Sequence, residues 1–194
     1  MIYKALFIRN NNIIKSKLKR GYSLLSYEKY VYILVLSWLF TKSFDPLSII
    51  GKGSSKMTGT LDETGLFFNG NIGNKFLGLE NFWQYYTYLD GVSVSKNSLY
   101  SVNKDGIKSI LLQNIFKNGW INSVDYRKGI LYPSGYNGSS STHACSYITN
   151  KDESDSMSFS DIFFGGIEED ATHTGAFSLY FKEPKYKGYR LCYN

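Results

Sequence analysis

Gly175-Ala176-Phe177-Ser178-Leu179-Tyr180-Phe181 and Gly188-Tyr189-Arg190-Leu191-Cys192-Tyr193-Asn194, preceded by the pair Gly165-Gly166, close the chain and decide how its fold is read. Large side chains recur at period two, as Phe177, Leu179 and Phe181 and again as Tyr189, Leu191 and Tyr193, which is the pattern of half-buried strands. Each run opens on glycine, which permits turn backbone that a Cβ resists. Only the short segment Lys182-Glu183-Pro184-Lys185-Tyr186-Lys187 separates them, so the spacing predicts an antiparallel hairpin and a chain that ends inside its core.

A chain of 194 residues suits one sizeable core better than two small ones. A hydrophobic content of 43%, with 17 Tyr and 13 Phe, is that of a folded protein, and the aromatic excess favours strands. The formal charge of +6 is not spread over the chain. Lys4, Arg9, Lys15, Lys17, Lys19 and Arg20 stand in the first twenty residues without an acid, and the basic and acidic residues of 21–194 cancel at 16 each. The folded body therefore offers no basic face for nucleic acid. The basic arm is read either as solvated or as docking on an acidic partner, a phosphate or a neighbouring subunit.

The longest apolar run, Tyr30 to Phe40, is too short to span a membrane and is closed by Lys29 and Lys42. It also begins too far into the chain for a signal peptide. Ser26 as N-cap, Glu28 in the first turn and Asp45-Pro46 as a stop predict a buried helix over 27–42. From Val92 to Pro133, short apolar segments alternate with turn signals at Lys104-Asp105-Gly106, Lys117-Asn118-Gly119 and Arg127-Lys128-Gly129. They predict an antiparallel sheet with Trp120, Ile121 and Val124 among its buried side chains. Cys145 and Cys192, with His143 and His173 the only histidines, lack zinc-site spacing. Buried thiols are the expectation, and a disulfide stays open.

Several further segments occur in a fixed order: Ser48-Ile49-Ile50-Gly51-Lys52-Gly53; Gly78-Leu79-Glu80-Asn81-Phe82-Trp83 leading to Asp90-Gly91-Val92; and Pro133 to Thr142, with Gly135 and Ser139-Ser140-Ser141. With Gly165-Gly166, Gly175-Ala176-Phe177 and Tyr189-Arg190-Leu191, this series resembles the C-type-lectin-like domains of phage tail and fibre proteins and the related sulfatase-modifying-factor superfamily. The resemblance covers roughly 25–194 and leaves a basic arm over 1–24. It implies an α+β fold, with one main N-terminal helix packed on twisted antiparallel sheets with long loops. It also implies that Gly78, Glu80, Asn81, Trp83, Asp90, Gly91, Gly165, Gly166, Gly175, Phe177, Arg190 and Leu191 are structural. Glu80 and Asn81 are expected to bond backbone at a buried turn, and Arg190 to be a structural hydrogen-bond donor.

The sequence departs from the pattern at Gln84-Tyr85-Tyr86-Thr87-Tyr88, and at Glu168-Glu169-Asp170, where the family carries an aromatic residue. Loops 53–75, 134–143 and 166–174 are the expected binding surface, with Tyr136, Asn137, His143, Glu168, Glu169, Asp170 and His173 as candidates. Gly51-Lys52-Gly53 fails as a phosphate cradle, because neither a third glycine nor a Lys-Ser/Thr pair follows. The serines at 139–141 lack a nucleophile elbow. Cys145 and Cys192 lack the surroundings of the formylglycine-forming oxidases. Lys185 after Glu183-Pro184 does not match the calcium-binding motif of animal lectins.

The expectation is therefore a non-enzymatic virion protein without metal or cofactor, decorating a phage tail, fibre or capsid for host attachment or virion assembly. Its expected partners are other virion proteins, a host-surface glycan or protein, and its own copies; fibre proteins of this kind are often trimers, although no heptad region imposes one. A bacterial surface or secreted adhesin is the first alternative, and a thiol- or metal-dependent enzyme the second.

Overall fold

The structure, a computed structural model, describes residues 2–3, 18, 20–53, 61–127, 130–142, 146–149, 159–166, 175–181, 184 and 187–193. In chain order it holds β1 (Ile2–Tyr3), β2 (Tyr22–Leu24), α1 (Tyr27–Thr41), α2 (Leu47–Ile50), β3 (Phe67–Gly70), β4 (Gly73–Phe76), β5 (Leu79–Glu80) and β6 (Thr87–Ser95). There follow β7 (Ser98–Val102), β8 (Lys108–Leu112), β9 (Gly119–Trp120), β10 (Ser123–Arg127), β11 (Ile130–Gly135), β12 (Tyr147–Thr149), β13 (Ser160–Phe164), β14 (Leu179–Tyr180) and β15 (Leu191–Tyr193). Among the described residues 44% are strand and 15% helix. This overturns the expected α+β, C-type-lectin-like arrangement built on one main helix: the protein is mostly β, with two helices beside large sheets.

The physical reason lies in segments the sequence presents as loop. Asn71-Ile72 joins β3 to β4 as a hairpin, with Gly70 opposite Gly73. The Asp90-Gly91-Val92 segment lies inside a strand. β6 runs through it, with Gly91 at φ 80° and an irregular register against β13 between Ser160 and Ile162. Ser95 pairs with Ser98 across Lys96-Asn97, both at positive φ, as a tight two-residue hairpin demands.

The central sheet has seven strands in the order β8-β7-β6-β13-β14-β12-β9. Its pairs are antiparallel except β12 with β14, which correct the all-antiparallel expectation by running parallel. The predicted terminal hairpin does not form. β14 sits between β13 and β12, whereas β15 is the middle strand of a separate sheet, β1-β15-β2. Two of the segments read as a detached arm, Ile2–Tyr3 and Tyr22–Leu24, thus flank the closing strand.

Helix α1 follows its signals: the Lys29 N–H donates to Ser26 Oγ at 3.3 Å, and Lys42 closes the helix at φ 53°. Its inner face, Tyr27, Tyr30, Ile33, Leu34 and Ser37, is buried. The Tyr30 ring lies 4.3 Å from that of Phe164, and its hydroxyl donates to the Ala176 carbonyl at 2.7 Å. The opposite sheet face packs Tyr88, Phe163 and Tyr180 with Leu24 and Tyr189. β13 and β14 are therefore covered on both faces, which is why Phe163 and Phe164 are adjacent and equally buried.

Candidate functional site

The Gly78–Trp83 segment and the closing Tyr189-Arg190-Leu191 run meet in a buried knot around Arg190. One guanidinium nitrogen, Nη2, donates to the carbonyls of Glu80 at 3.1 Å and Asn81 at 2.8 Å. The guanidinium also lies 5.0 Å from the Phe82 ring centre. Burial pushes the Arg190 pKa down to about 10, partly offset by attraction to Glu80, so the group stays charged at neutral pH. Glu80 Oε1 accepts the Leu61 N–H at 2.7 Å and lies 3.8 Å from Lys75 Nζ. Asn81 exchanges bonds with Asn74: its Oδ1 accepts the Asn74 N–H at 3.1 Å, and its own N–H donates to the Asn74 carbonyl at 2.9 Å.

The Trp83 indole N–H donates to the Ala176 carbonyl at 3.1 Å, beside buried Phe177. The Gly166 N–H donates to the Trp83 carbonyl at 3.2 Å, and the Gly175 N–H to Ser178 Oγ at 2.8 Å. Gly78 (φ 77°) turns β4 into β5. The Asp90 N–H donates to the Leu25 carbonyl at 2.9 Å, and half-buried Leu191 pairs with Leu24. Gly51 and Gly53 sit against Asn69 and Asn81, where a Cβ would stand 2.5 and 2.8 Å from their Oδ1 atoms. The side chains of Glu80, Asn81, Trp83 and Arg190 are thus engaged with backbone. Cys192 in β15 is a buried free thiol, its pKa raised by burial. Cys145, and with it the enzymatic reading of the cysteine pair, lies outside the described residues.

Of the candidate binding residues, Tyr136 is turned inward. Its hydroxyl donates to the Ile115 carbonyl at 2.5 Å, its ring packs on the core, and burial raises its pKa. Asn137 is exposed and bridges to Trp120. His143, Glu168, Glu169, Asp170 and His173 lie outside the described residues. Among the described residues no group of three or more His, Cys, Asp or Glu is placed to hold a metal ion. No helix is long and apolar enough to cross a membrane among those residues.

Sequence reasoning placed Trp120 in the core, yet the structure brings it to the rim. Among the described residues β9 is the last strand of the central sheet, and on its outer side Asn137 bridges Trp120 while the Gly138 N–H donates to the Trp120 carbonyl at 3.1 Å. Across the β9–β12 pair the Trp120 and Tyr147 rings meet edge to face at 5.0 Å, both half-buried. Exposed Asn118, Asn122 and Asn137 surround them in sequence or by pairing, and Ser139 lies on the adjoining turn. Two buried hydroxyls lock the pair from behind: Ser178 Oγ accepts the Tyr147 N–H at 3.0 Å, and Ser146 Oγ accepts the Phe177 N–H at 3.1 Å.

An aromatic pair with exposed amides and hydroxyls on the neighbouring residues has the chemistry to take a sugar ring, with apolar C–H groups on the π face and hydroxyls on polar side chains. Elsewhere on the sheet Tyr100 of β7 and Phe159, just before β13, meet at 5.0 Å, but there the Lys108 ammonium of the edge strand β8 already stands 4.0 Å over the Phe159 ring. No protein family, no curated protein and no solved structure matches this chain.

Proposed function

We propose that the protein is a non-enzymatic binding component of a virion, carried on a tail, fibre or capsid, and that its β9 edge takes a host-surface glycan. The observation that carries the binding half is the half-exposed Trp120–Tyr147 pair with Asn137 beside it. The virion half rests on the ordered sequence motifs similar to those of phage tail and fibre proteins. Glu80, Asn81, Trp83 and Arg190 of these motifs are engaged inside the scaffold, while the Pro133–Thr142 motif supplies Asn137 of the rim. This division is common where one scaffold presents variable surfaces.

The location is tested on purified particles from cells that express the gene. Mass spectrometry should find the chain in a fixed ratio to the major capsid protein, and antibody labelling should mark the tail, fibre or capsid surface. Recovery in the outer envelope or the culture medium, with none on particles, would replace this reading with that of a cellular adhesin.

A further inference from the structure

We infer that α1 is also a self-association surface, on which a second copy of this chain packs its own α1 antiparallel. The helix is apolar on both sides. Its inner face is core, yet its outer face carries Tyr32 at 58%, Leu36 at 47% and Leu39 at 69% exposure. No charged residue occurs between Lys29 and Lys42. A surface helix ordinarily turns a polar face to water, and a helix apolar all round is a covered one.

The outer stripe identifies its own cover. Glu28, Tyr32, Val35, Leu39 and Lys42 follow one another at spacings of four and three, the seam spacing of a two-helix pair. The stripe has an acid at its amino end and a base at its carboxyl end. With a two-fold axis through Val35, Glu28 meets the partner's Lys42 and Tyr32 meets the partner's Leu39, each contact made twice. Antiparallel packing also sets the two helix dipoles head to tail. Tyr32 is already aimed along this seam by its hydroxyl, which donates to Glu28 Oε1 at 2.9 Å. Phe40, 52% exposed and resting on the Phe67 ring at 5.2 Å, extends the apolar surface on one flank. A membrane surface fits less well, because the stripe lacks the basic border of an interfacial helix. The pairing is independent of what the β9 edge binds.

Light scattering coupled to size exclusion, on the full chain, should give a dimer. Leu39→Glu should give a folded monomer that melts as the wild type does when diluted below its dimer dissociation constant, because Leu39 is 69% exposed. Glu28→Lys or Lys42→Glu alone should weaken the dimer about tenfold, since each reversal breaks two exposed pairs, and the two together should restore it. A monomeric wild type, a dimer indifferent to Leu39→Glu, or a double reversal as weak as the singles would overturn the inference. So would a monomer that sediments with phosphatidylglycerol vesicles and loses this on Leu39→Glu, which would assign the face to a membrane.

Discussion

Arg190→Ala lowers the free energy of unfolding by about 3–5 kcal/mol, because two buried carbonyls lose their donor and the stem leaves a cavity beside Phe82. The two carbonyls belong to Glu80, the last residue of β5, and Asn81 just after it, while Arg190 immediately precedes β15, so the guanidinium ties the approach to the β15 sheet to the end of the β3-β4-β5 sheet. Arg190→Lys recovers only part of the loss: a single ammonium keeps the charge but lacks the planar fork and its contact with the Phe82 face. Urea unfolding reads the effect as a shift of midpoint at constant slope. An Ala variant within about 1 kcal/mol of wild type, the scale of an ordinary net hydrogen bond, would mean that the knot is ornamental.

Gly165→Ala is the second large effect, at about 3 kcal/mol or more. Gly165 has φ 82°, and a Cβ there would stand 2.6 Å from the Tyr85 carbonyl oxygen and 2.8 Å from that of Trp83. Both obstacles are backbone, so neither can swing aside, and the Gly166 bond to Trp83 would be pushed apart with them. Gly91→Ala is the internal control. Its φ is nearly the same at 80°, yet nothing lies within 4 Å of the added carbon. It should therefore cost only the conformational share, about 1–2 kcal/mol. Equal losses at both positions, measured by the same unfolding experiment, would show that the carbonyl contacts carry no energy.

The helix was legible because its signals are local: a capping serine, an acid in the first turn and a proline stop act within a few residues of one another. The partners of the closing strands were not. Residues 176–181 are buried without interruption because their neighbours come from both sheet faces, and a two-sided environment erases the alternation that marks a solvent-facing strand. The alternation read at Phe177, Leu179 and Phe181 was thus real in sequence but carried no information about which face is wet. Lys96-Asn97 hid its hairpin for a different reason, since it supplies two positive φ values without the glycine that usually announces them.

In the sites, Glu80, Asn81 and Arg190 stood out as polar groups inside aromatic motifs, a setting in which backbone bonds are the cheapest way to satisfy them. Trp120 and Tyr147 gave no such sign. They meet only because β12 pairs with β9 at the end of a sheet whose order does not follow the sequence. Tyr136 stands in a loop, as its glycine-rich surroundings suggest, but its phenol reaches far enough to bond the Ile115 carbonyl.

The most direct test of the account is a glycan array probed with the wild-type protein and with Trp120→Ala. The wild type should bind a set of glycans that share one sugar unit. The variant, shown by its melting curve to be folded at the assay temperature, should bind that set at least about tenfold more weakly, the loss expected when an aromatic anchor is truncated. Binding by the wild type to no glycan, or binding that Trp120→Ala leaves unchanged, would contradict it.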